Sequence, residues 1–185
     1  MKFEELVKNI VENKDAISSI NLKSVEKIAQ KIEEARKNNN TIFVAGNGGS
    51  SSTASHFVND LMKATLDKNK NLIKAISLSD NVPLLTAISN DIDYSEIFRF
   101  PIESLSSEGD LFIAISASGN SKNLIDAVDY CKENEIFTVG LLGFDGGELN
   151  KKVDISNLIQ TSSNNYELVE NMHMIICHLI SNYLK

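Results

Sequence analysis

Apolar residues recur at helical spacing in two stripes near the start of the chain, Phe3, Leu6, Val7, Ile10 and Val11, then Leu22, Val25, Ile28, Ala29, Ile32 and Ala35. Each stripe puts one apolar face on an amphipathic helix. The polar run KNNN at 37–40 closes the second helix, and the pattern then changes. TIFVAG at 41–46 is a short continuous apolar block entering glycines, the signature of a strand buried on both faces that feeds a loop. The same pattern predicts strands over 73–78, 110–115, 137–142 and 154–159. Between them lie segments long enough for crossover helices, at 50–66, 82–106, 121–134 and 146–152. Leu168, Met172, Ile175, Ile176, Leu179 and Ile180 then mark a long terminal helix over 164–183. Strands alternating with helices specify an α/β fold: a three-layer α-β-α sandwich around a five-stranded parallel sheet, with N-terminal helices and a long C-terminal helix. With no repeat or linker, residues 1–185 read as one domain, and 1–40 should pack on its core or on a partner subunit.

Composition narrows the function. A chain of 185 residues can bury a full core without staples, and 42% hydrophobic residues argue against disorder. Eighteen Lys and Arg against 25 Asp and Glu give a net charge of −7 with no basic stripe, which excludes a constitutive binder of nucleic acid or anionic membrane. Any phosphate must therefore be held locally. Cys131 and Cys177 sit in apolar stretches without a CxxC pair and read as reduced, buried thiols. The acidic, amphipathic N-terminus lacks the apolar block of a signal peptide, and no run is long enough for a membrane span, so a soluble cytoplasmic protein is expected.

Two loops carry candidate chemistry. Gly46-Asn47-Gly48-Gly49-Ser50-Ser51-Ser52-Thr53 follows the first predicted strand, and Ser116-Ala117-Ser118-Gly119-Asn120-Ser121 follows the third. Either alone is explained by glycine making a turn and serine capping a helix. Two such loops at the carboxyl ends of strands of one sheet point instead to a phosphate ester, held by helix N-termini and hydroxyl donors. No Lys follows the glycines as in a Walker motif, and Ser51 stands where a dinucleotide fingerprint needs its third glycine.

The three histidines each lie near other potential ligands. His56 and Asp60 are four apart on one helical face, a spacing that suits one metal ion, one substrate or an ordinary surface contact. Glu170, His173 and His178 share the terminal helix. Glu170 and His178 are separated by about 12 Å of helical rise, so His173 competes with His178 for any site that includes Glu170. Asp80 and Asp145 read as loop and turn residues.

Five stretches together resemble the phosphoheptose isomerases of the sugar-isomerase (SIS) domain superfamily: GNGGSSSTASHF at 46–57, LTAISNDIDY at 85–94, AISASGNSKN at 114–123, GFDGGEL at 143–149 and LVENMHMIICHL at 168–179. The resemblance implies a SIS fold and a cytoplasmic homotetramer that interconverts D-sedoheptulose 7-phosphate and D-glycero-D-manno-heptose 7-phosphate in bacterial heptose biosynthesis. It implies substrate contacts at Asn47, Gly48, Gly49, Ser50, Asp60, Asn90, Asp91 and Glu170, with Ser116, Ala117, Ser118 and Ser121 around the phosphate. It implies one Zn2+ per subunit on His56, Asp60, Glu170 and His178, which selects His178 over His173. Asp60 and His178 would be the acid–base pair, with Glu170 as the alternative base. The family usually carries Glu at position 60 and Gln at 170, a departure that bears on the sugar more than on the fold. Two other readings follow: an isomerase of another sugar phosphate in a polysaccharide pathway, and a noncatalytic SIS protein similar to the DnaA initiator-associating protein. The metal-ligand and acid–base set at 56, 60 and 178 favours an enzyme.

Overall fold

The computed structural model describes residues 14, 16–161 and 165–185; the apolar stripe at 3–11 lies outside them. Helix α1 (Leu22–Asn38) buries Val25, Ile28, Ala29, Ile32 and Ala35, the predicted stripe, while Leu22 at its first turn stays exposed. Asn21 caps it by accepting from the Ser24 amide, and Asn39 ends it in the left-handed region at φ 62°, which asparagine tolerates better than most residues. The Arg36 side chain is buried at the end of α1, where it donates to the carbonyl oxygens of Asn71, Thr65 and Leu184. These bonds tie α1 to the C-terminus and offset the desolvation of the guanidinium.

The strands β1 (Thr41–Gly46), β2 (Lys74–Ser77), β3 (Leu111–Ser116), β4 (Phe137–Gly143) and β5 (Ile155–Ile159) form one parallel sheet in the order β2-β1-β3-β4-β5. Alternate side chains feed two cores, as the pleat requires. Ile42, Val44, Ile113 and Ile115 point into the layer formed by α1, α2 (Gly49–Asn59) and α7 (Tyr166–Tyr183). Phe43, Ala45, Phe112 and Ala114 point into the opposite layer, formed by α3 (Val82–Asp91), α4 (Arg99–Leu105), α5 (Lys122–Glu133) and the short α6 (Leu149–Lys152). Cys131 and Cys177 are free and buried, one in each layer, and burial pushes both thiols above their ordinary range. No helix among the described residues is long and apolar enough to cross a membrane.

Several boundaries differ from the sequence expectation, among them the strand expected over 73–78, which is shortened to Lys74–Ser77. The single helix expected over 82–106 is broken into α3, a 3-10 turn at Tyr94–Glu96 and α4. Asp93 accepts from the Ser95 amide to start the turn, and Pro101 is tolerated only because α4 begins just before it. The expected strands at 110–115 and 154–159 start one residue late because their aspartates pair sideways. Asp110 accepts from the amides of Thr41 (2.7 Å) and Ser107 (2.9 Å), and Asp154 accepts from the amide and hydroxyl of Thr138. Asp110→Ala leaves two donors unpaired at a buried edge and is expected to cost about 2 kcal/mol, read as a lower urea midpoint at unchanged m-value.

Candidate active site

The sheet order places β1 beside β3, where the connections diverge to opposite sides of the sheet. Ligands bind in the crevice outside the carboxyl ends of the strands at such a switch point. Both glycine–serine loops open there. Asn47, Ser50, Ser116, Ala117, Ser118, Ser121 and Glu170 line one cavity of about 150 Å³, together with Ile115 and Tyr166. Helices α1, α3 and α7 are each capped by an asparagine side chain, whereas α2, α4, α5 and α6 have no side-chain cap, and of these α2 and α5 begin at this cavity. The amides of Ser50, Ser51 and Leu124 bond carbonyl oxygens of their own turns, and the helix dipoles with the remaining first-turn N–H groups favour an anion.

Backbone geometry explains two of the glycines. A Cβ on Gly49 would stand 2.6–2.8 Å from the Glu170 carboxylate, so the absent side chain is what lets α7 bring Glu170 over the first loop. Gly119 has φ +65°, and a Cβ there would lie 1.9 Å from the Gly146 carbonyl oxygen. The second loop therefore depends on glycine for close approach as well as for the turn.

A second group of donors lies further along α7. His178 Nε2 is 3.2 Å from His56 Nε2, and Asp60 Oδ2 is 3.4 Å from the first imidazole's partner, His56, and 3.8 Å from His178. These three side chains could hold a metal ion, their ligand atoms all lying within 4.8 Å of one another. Asp60 begins a π-helical turn, Asp60–Ala64, that continues α2. Such turns are rare and frequent at functional sites. The imidazoles are about half exposed and Asp60 is more enclosed. Glu170 lies outside this group and lines the loop cavity instead.

The other expected residues are placed differently. Asn90 and Asp91, at the end of α3, are exposed and bonded to each other at 2.7 Å, and neither lines the cavity. Gly48 is exposed at the first turn with φ 54°. His173 is fully buried in the α7 core face. Asp80 accepts from Ser55 and Ser77 beside the end of β2. Tyr166, Asn123 and Tyr94 belong to the site and went unnoticed in the sequence. Tyr166 packs edge-to-face on Phe144 at 5.1 Å, while Asn123 and Tyr94 bond to Asn47. Asn123 and Tyr94 had a signal, each closing one of the stretches that carry the family resemblance, 114–123 and 85–94.

Comparison with known proteins agrees with this layout. The SIS domain model matches residues 5–143. A phosphoheptose isomerase of Fusobacterium nucleatum is 37% identical over 179 residues, 97% of this chain and 87% of that protein. One from Aliarcobacter butzleri is 38% identical over 86% of this chain and 85% of its own length. The solved structure of phosphoheptose isomerase from Neisseria gonorrhoeae superposes with a TM-score of 0.88 at 26% identity, covering 98% of this chain and 97% of that one. The family-model match and the superposition place this parallel-sheet chain among the SIS-domain proteins. Within that class, the chain belongs to the phosphoheptose isomerase family.

Proposed function

We propose that the protein is an aldose–ketose isomerase that converts D-sedoheptulose 7-phosphate to D-glycero-D-manno-heptose 7-phosphate, in a cytoplasmic heptose-forming pathway. The observation that carries this reading is the two-ended site: a phosphate cradle beside Glu170 and an acid–base cluster at His178, about 12 Å further along the same helix. An extended seven-carbon sugar phosphate spans that length, with its phosphate on the loops and its carbonyl carbon at the cluster. Exposed Leu66, Leu72 and Val82 beside edge strand β2 support assembly into a homotetramer.

The donor set fits zinc. Two imidazole nitrogens and one carboxylate oxygen are the ligand types of catalytic zinc sites, and three protein ligands leave a coordination position open. Donors 2.0–2.1 Å from a tetrahedral ion stand about 3.3 Å apart, close to the observed 3.2–3.8 Å. Bound on His56, Asp60 and His178, zinc supplies Lewis-acid polarisation of the substrate carbonyl.

Isomerisation takes a proton from C1 of the ketose, carries negative charge on the enediolate and returns a proton to C2. Asp60 Oδ2 faces the imidazoles, and Oδ1, which takes one long hydrogen bond from Asn59 Nδ2 at 3.4 Å, accepts the C1 proton and delivers it to C2. His178 moves the hydroxyl protons between O1 and O2. Glu170, over the first loop at the cradle end, accepts hydrogen bonds from sugar hydroxyls. Gly49→Ala pushes the Glu170 carboxylate aside without burying strain in the backbone. It is expected to raise KM about tenfold, one hydrogen bond to a charged group, with little change in Tm. Steady-state kinetics and a thermal melt read both.

The test of the function is NMR of the zinc-supplemented protein with sedoheptulose 7-phosphate in D2O. Aldose product with deuterium at C2 supports the assignment. Folded, metal-loaded protein that gives neither product nor exchange refutes it and directs attention to another sugar phosphate.

A further inference from the structure

Asn47 and Asn123 face each other across the gap between the two loops as a closed amide pair. Asn47 Nδ2 donates to Asn123 Oδ1 at 3.0 Å, and Asn123 Nδ2 donates back to Asn47 Oδ1 at 2.9 Å. The Tyr94 hydroxyl adds a second donor to Asn47 Oδ1 at 3.0 Å, from the turn that follows α3. Asn123 is 1% exposed, in the first turn of α5. The two residues are 76 positions apart, and their pairing joins the loop after β1 to the helix opened by the loop after β3.

In this arrangement one polar group of Asn47 remains. A primary amide has two N–H donors and an oxygen with two lone pairs. Both lone pairs of Asn47 Oδ1 are taken, by Asn123 and Tyr94, and one of its two N–H groups is taken by Asn123. The single uncommitted polar group of this cavity-lining side chain is an N–H. Without its two partners the Asn47 side chain is free to swing out of the gap or to present its oxygen instead. Beside a phosphate the second change replaces an attractive donor with a repulsive acceptor.

We propose that Asn123 and Tyr94 are positioning residues that hold the Asn47 amide in place between the two loops, so that its remaining N–H reaches a phosphate oxygen of the ligand. The inference rests on the proposed phosphosugar site for the class of ligand and is independent of which sugar is turned over. It explains why an exposed tyrosine on a separate element bonds to a loop asparagine, and why a nearly inaccessible polar side chain stands in the first turn of α5. The three substrate-facing segments, after β1, after β3 and behind α3, are thereby held in one register through a single amide.

The experiment measures inorganic phosphate binding by calorimetry, at one pH and salt concentration, for the full chain and a set of variants. Asn123→Leu has similar volume and no hydrogen-bonding group, and is expected to weaken phosphate binding about tenfold; Tyr94→Phe, at an exposed site that leaves the fold intact, is expected to weaken it about threefold. Both substitutions are then repeated in an Asn47→Ala background. Residues that act through the Asn47 amide lose their effect there, whereas residues that merely support the loops weaken binding equally in both backgrounds. Loss of the Tyr94→Phe and Asn123→Leu effects in the Asn47→Ala protein supports the proposal. Equal effects in both backgrounds, no effect of Tyr94→Phe in the parent, or a parent chain that binds no phosphate each overturn it. A parent that binds phosphate and shows the coupling but does not isomerise sedoheptulose 7-phosphate leaves the positioning role standing and removes only the assigned substrate.

Discussion

Asp60→Asn is expected to lower kcat by about 10³ with sedoheptulose 7-phosphate at saturating zinc, a loss of about 4 kcal/mol of transition-state stabilisation. The amide keeps the shape of the side chain and can still lie against His56 and His178, but it accepts no proton. Deuterium exchange at C2 should vanish with turnover, since both depend on the same proton abstraction. Removing the carboxylate also weakens cation binding, so rates must be compared per bound metal, with metal content measured on the same samples. Glu170→Gln provides the contrast. Glu170 lies outside the three-donor cluster and against the loops, so its loss should act on KM and leave kcat within about tenfold, as expected for ground-state binding. The opposite pattern, exchange retained in Asp60→Asn and lost in Glu170→Gln, would transfer the role of base to Glu170.

The residues that could be read from the sequence are those whose local chemistry has one explanation. The strands were legible because parallel strands buried on both faces are continuous apolar blocks, and the switch-point loops because two glycine–serine runs each followed such a block. The carboxylates at the strand entrances were misread. Asp110 and Asp154 precede apolar residues, but each accepts hydrogen bonds from a neighbouring segment, Asp110 from Thr41 and Asp154 from Thr138, and no local pattern reports a partner so far away. The break in 82–106 was signalled by Pro101 and overlooked because the apolar spacing on either side is helical. The pairing of Asn47 with Asn123 joins residues 76 apart and had no signature. The distinction between His173 and His178 was in principle available. The buried positions of α7 include 169, 172, 173, 176, 177 and 180, a stripe that contains 173 and excludes 178.

That stripe gives His173 a marked thermodynamic consequence. It is wholly inaccessible, and neither ring nitrogen has a well-formed hydrogen bond; burial pushes its pKa down from 6.5 to about 4, with the Leu142 backbone pulling weakly the other way. Below pH 6.5 the unfolded chain takes up a proton that the folded chain refuses. Stability therefore falls as the pH drops through that value and stops falling on this account near pH 4, where the folded state is protonated as well. Over that window the group should remove about 3 kcal/mol, at 1.36 kcal/mol per pH unit. Urea denaturation at intervals from pH 8 to pH 4 reads the slope. His173→Met fills similar volume with no polar atoms, and replacing a buried unpaired group in this way is neutral or stabilising, so the variant should be at least as stable as the parent at pH 8. It should also lose most of the decline between pH 6.5 and 4, because the carboxylates lose their own contributions lower on the scale. A variant as acid-sensitive as the parent would assign the decline to other groups and show that His173 gains its proton without unfolding the chain.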